Sequence, residues 1–148
     1  MRLPYVATAA SAVALVLAVG APNADASSAV RFGKIQYNSP GSDTGSNSSL
    51  NAEYVTVTNH AATKRKLTGW TLRDASHHVF HFPTFSLASG ASVRVHTGKG
   101  SNGAHDVYWG SDYYIWNNTG DKAILRNTAG TTLDTCSWGS SGPGYVSC

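Results

Sequence analysis

From Val30 onward, apolar and polar residues alternate in short runs, and Gly, Pro, Asn, Asp and Ser cut every run before it could become a helix. Alternation with period two puts successive side chains on opposite faces of a strand, so one face of each run can be buried while the other stays wet. The runs fall at residues 30–37, 53–59, 67–73, 77–82, 92–97, 121–126 and 132–138, with a polar turn at 60–66, a Gly/Ser loop at 40–49 and an aromatic, irregular stretch at 107–116. Short strands at this spacing make an all-β domain, a sandwich or a barrel. The inward positions are Val55, Val57, Trp70, Leu72, Phe80, Phe82, Val93 and Val95, with Gly69 leaving room for the Trp70 ring.

The chain ahead of these strands is different. Arg2 precedes an apolar run that ends near Val19, and Ala24-Asp25-Ala26 follows with small residues at the cleavage positions. That layout is a secretory signal peptide over residues 1–26, leaving one domain over 27–148. The run is too short and too diluted by Ala, Thr and Ser for a membrane span, which needs about 20 apolar residues. No later stretch is apolar at that length, and no Cys follows the small residues. The expectation is a secreted, released protein. Only 13% of residues are charged, about half the proportion usual in soluble proteins. Cys136 and Cys148 are the two cysteines, and in an exported chain such a pair reads as a disulfide stapling the C-terminal tail.

Several segments together resemble the lamin-tail domain in its bacterial secreted form: EYVTVTN at 53–59, LTGWTLRD at 67–74, FHFP at 80–83, LASG at 87–90, VRVHTGKG at 93–100 and WNNTGDKAILR at 116–126. The resemblance runs from about Val30 to Trp138. It implies an immunoglobulin-like β-sandwich that acts as a non-catalytic binding or structural module, contacting a protein or a cell surface. In nuclear lamins the domain is associated with protein and DNA partners, and in secreted bacterial proteins it often accompanies hydrolases. This chain has no heptad rod, prenylation box or attached enzyme, so the partner is not carried over.

The residues show no catalytic constellation. A G-x-S-x-G elbow is absent, and Glu53 is the only glutamate, whereas glycosidases set two carboxylates across a cleft. His77 and His81, on one face of a strand, would stand about 13 Å apart, too far to share a zinc ion. The loop from Asp43 to Asn47 does not follow the EF-hand pattern. The expectation is therefore no enzyme, no metal and no cofactor. Two surfaces remain. Lys64, Arg65 and Lys66 in the turn, with Arg94 and Arg126 on strands, could bind a polyanion such as DNA or an anionic wall polymer, in keeping with a net charge of +3. Tyr108, Tyr113 and Tyr114 could offer rings to a sugar or a protein partner.

Overall fold

The computed structural model describes residues 28–148; the expected signal peptide lies outside them. The alternating runs become strands: β1 (Val30–Gln36), β2 (Tyr54–Asn59), β3 (Arg65–Lys66), β4 (Thr71–Arg73), β5 (Val79–His81), β6 (Ser86–Leu87), β7 (Ser92–His96), β8 (Asp106–Tyr108), β9 (Asp121–Arg126), β10 (Thr132–Trp138) and β11 (Tyr145–Ser147). One five-stranded sheet has the order β11-β1-β2-β7-β8, a four-stranded sheet has β10-β9-β4-β5, and β3 pairs with β6 alone. Every pairing is antiparallel except β7 with β8.

The two large sheets bury one face each against the other. Val55 and Val57 of β2, Val93 and Val95 of β7 and Phe32 and Ile35 of β1 come from one side; Leu72 of β4, Phe80 of β5 and Ala123 and Leu125 of β9 come from the other. Removing this apolar area from water supplies the main driving force of folding. Seven of the expected inward positions are buried; Trp70 is only half-buried and packs against the rim of the core. It lies outside a strand. The run read as a strand at 67–73 is a turn followed by a short strand, because Gly69 adopts φ +77, a left-handed conformation that glycine reaches without steric cost. Gly69 thus turns the chain rather than making room for the ring. The turn expected at 60–66 carries β3 at its end, and β11 forms beyond the last expected strand. A short helix, α1 (Asn47–Asn51), sits in the Gly/Ser loop, its N-terminus capped by Ser46, whose Oγ accepts the Ser49 N–H at 3.2 Å.

β1 contains a bulge. Phe32 pairs with Val57 and Ile35 with Val55, so Gly33 and Lys34 together oppose Thr56. The extra residue re-phases the strand. Val30 and Phe32 point inward before it, Ile35 and Tyr37 point inward after it, and Lys34 is left exposed on the outer face. The bulge also frees the Phe32 N–H from the ladder, and it donates to Asp134 Oδ2 of β10 at 2.8 Å.

Aromatic rings line one end of the sandwich. Phe80 meets Trp109 at 5.7 Å, Trp109 meets Trp116 at 5.9 Å, Trp116 meets Trp138 at 5.8 Å, and Trp138 stacks on Tyr37 at 4.7 Å. The tryptophans of the 107–116 stretch are therefore packing groups. Cys136 on β10 is bonded to Cys148, just past β11. Those strands are edges of different sheets, so the disulfide joins the two layers as well as holding the tail.

Candidate binding face

The basic residues singled out in the sequence do not share a surface. Lys64, Arg65 and Lys66 are exposed at and beside β3. Arg94 is exposed on the outer face of the five-stranded sheet. Arg126 pairs with Thr71 and Thr132 on the outer face of the four-stranded sheet and is half-buried, its Nε without a partner among the described residues. Opposite faces of a sandwich cannot act as one patch.

The three tyrosines also separate. Tyr108 is half-buried on β8, with its ring stacked on His96 at 5.0 Å. Tyr113 is 59% exposed. The Tyr114 hydroxyl is 2.5 Å from Ser49 Oγ and accepts the Gly45 N–H at 3.3 Å, which ties the aromatic stretch to the loop carrying α1.

The histidines are distributed in the same way. His77 is not on a strand; it adopts φ +72 in the turn before β5. Its neighbour His78 approaches the buried Asp74 carboxylate, Nδ1 to Oδ2, at 2.5 Å. On β7, two residues after Arg94, the His96 ring is held between the Asn51 carbonyl at 2.8 Å and Asp106 Oδ1 at 2.7 Å. Asp-x-x-x-His at 74–78 is the one signal in the sequence that could have exposed the first of these pairs. The second joins residues on two strands and needs the register.

Glu53 sits just ahead of β2 and is buried. It is 1% exposed, and its Oε1 accepts hydrogen bonds from Thr97 Oγ1 at 2.6 Å and from the backbone N–H groups of Ile115 at 2.9 Å and Trp116 at 3.2 Å. Burial pushes its carboxyl up to about 7, against the opposing pull of those three donors.

The strand register assembles a surface that no single segment shows. On the outer face of the five-stranded sheet, Tyr145, Gln36, Tyr54, His96 and Tyr108 stand in one row across β11, β1, β2, β7 and β8. In the next row Lys34 and Gly33 oppose Thr56, Thr56 opposes Arg94, and Arg94 adjoins Asp106. A third row holds Arg31, Thr58 and Ser92. A groove of about 550 Å³ crosses this face, lined by Lys34, Thr56, Arg94 and Asp106 among others, with Gly33 leaving its floor low. Two cations are set in place by rings: Lys34 Nζ lies 4.5 Å from the centroid of Tyr145, and the Arg94 guanidinium 4.8 Å from that of Tyr54. Among the described residues the ion pairs are His78–Asp74, His96–Asp106 and Lys99–Asp112, so Arg31, Lys34 and Arg94 face solvent without a carboxylate partner. Arg31 and Lys34 were not among the basic residues expected to matter. Lys34 points outward only because of the bulge.

Two sheets packed face to face, joined at one side by a disulfide and closed at one end by aromatic rings, define an immunoglobulin-like β-sandwich. The chain belongs to the lamin tail domain family, whose model matches residues 23–140. β11 and Cys148 lie beyond the matched range. A search of curated proteins finds no match.

Proposed function

We propose that this lamin-tail-type domain is an exported, non-catalytic binding module, and that its binding surface is the outer face of the five-stranded sheet, which receives anionic groups. The observation that carries the reading is the placement of Lys34 and Arg94 on either side of Thr56, each over a tyrosine ring and neither paired with a carboxylate among the described residues. Cations held in position lose less conformational entropy on binding than free side chains do. Export is supported by the leader pattern ahead of Ser28 and by a disulfide, a bond that persists in oxidising compartments.

Titrating the protein with dextran sulfate at rising salt tests this. Affinity falls steeply as salt is added, and Lys34→Ser with Arg94→Ser removes most of it. The pair Lys64→Ser and Arg65→Ser, on a different surface, leaves it unchanged. Salt-independent binding, or equal loss from both pairs, refutes the assignment.

A further inference from the structure

The groove contains a feature that a simple polyanion site would avoid. Asp106 closes the row that begins at Lys34. One of its oxygens is engaged by His96 Nε2 at 2.7 Å, and the residue still lines the groove. A carboxylate accepts hydrogen bonds from hydroxyl groups and repels phosphate or sulfate. The groups between the cations are neutral and hydrogen-bonding. Thr56 separates Lys34 from Arg94, and Thr58 Oγ1 and Ser92 Oγ lie 2.7 Å apart in the neighbouring row. Two strand spacings, about 10 Å, separate the strand of Lys34 from that of Arg94.

The groove therefore offers charge at intervals, hydroxyl partners between the charges and one acceptor carboxylate, and Tyr145, 44% exposed, stands beside it with Lys34 over its ring. Building on the reading above, we infer that its ligand is an acidic polysaccharide of low charge density, lying across the strands. Its carboxylates meet Lys34 and Arg94, and its uncharged rings donate hydroxyls to Asp106 and lie against Tyr145. A nucleic acid strand or polyphosphate carries an anion at every repeat and would bring one against Asp106.

The test compares hyaluronate fragments with polyphosphate and with single-stranded poly(dT), at matched anion concentration, by calorimetry on the folded chain with its disulfide intact. Hyaluronate binds at least ten-fold tighter than either of the others. Tyr145→Ala weakens hyaluronate about five- to ten-fold and polyphosphate less, only through the freedom that Lys34 gains when its ring contact is lost. Asp106→Asn narrows the gap from both sides, weakening hyaluronate and strengthening polyphosphate. Thermal melts confirm that both variants fold, and Tyr145→Phe, which keeps the ring, restores hyaluronate binding if Tyr145→Ala proves unstable. Equal or tighter binding of polyphosphate or poly(dT), or indifference to Asp106→Asn, overturns the sugar assignment while leaving an anion-binding face. Failure of all three polymers and of dextran sulfate overturns both readings.

Discussion

Thr97 Oγ1 donates to Glu53 Oε1 across 2.6 Å in a part of the core where Glu53 is 1% exposed and Thr97 fully buried. The same oxygen holds the N–H groups of Ile115 and Trp116, so one carboxyl joins the start of β2, the end of β7 and the close of the aromatic stretch. Desolvation dominates the three donors and raises the group from 4.5 to about 7. A carboxyl that holds its proton more tightly folded than unfolded favours the folded state most below its unfolded value. That contribution is lost as pH rises from about 4.5 through about 7. Urea midpoints should fall across this window, by at most about 3 kcal/mol equivalent, and Glu53→Gln should flatten the fall. An unchanged pH profile in Glu53→Gln would show that another group controls it.

The bond between Cys136 and Cys148 closes a loop with a sequence separation of 12. Closing a loop of that size restricts the unfolded chain by about 3 kcal/mol. Replacing both cysteines with serine should lower unfolding free energy by about that amount, read from denaturant titration of the oxidised parent and the variant. Hydrogen exchange should rise first in β11, whose register with β1 is only three residue pairs long.

Asn59, fully buried, uses Nδ2 to donate to the carbonyls of Thr63, Leu87 and Ala88, and Oδ1 to accept the Ala61 N–H. An aspartate there would set a carboxylate against three carbonyl oxygens with no donor of its own. Asn59→Asp should cost about 3 kcal/mol or more and soften as pH is lowered. Asn59→Ser should cost less, since it buries no charge. Thermal melts at two pH values separate the cases.

Leu72 is fully buried between the sheets, whereas Trp70, two residues earlier, is half-buried at the rim. Leu72→Ala should cost about 2–5 kcal/mol through lost burial and the cavity left behind. Trp70→Phe should cost much less, because the rim can relax. Comparable losses by chemical denaturation would contradict the placement of the core.

What the sequence made legible follows strand length and burial. β2 and β7 were plain because each alternates over a full strand with one face in the core, Val55 and Val57 against Val93 and Val95. β3 and β6 are two residues each, too short for any period, and exist because Arg65 and Lys66 find partners in Leu87 and Ser86. The run at 121–126 was legible too, and becomes β9, whose first residue, Asp121, accepts the N–H groups of Ala75, Asn117 and Lys122. The binding face was not. Its rows depend on how five strands align, and that alignment turns on where two residues of β1 oppose one of β2. Arg94 could be placed outward from its neighbours, but Lys34 could not, because regular alternation from Val30 would have turned it into the core.

The bulge gives β1 an unusual tolerance to changes in length. Removing Gly33 would bring Lys34 directly opposite Thr56 and leave Phe32 and Ile35 in their present phase, so the strand could lose a residue there without exchanging its wet and dry sides. Removing Lys34 instead would leave Gly33 opposite Thr56 and keep the same phase. A residue removed elsewhere in β1 would invert one side of the edit, turning Ile35 and Tyr37 or Val30 and Phe32 outward. The two positions of the bulge are thus where the gene can shed a codon and the protein keep its orientation.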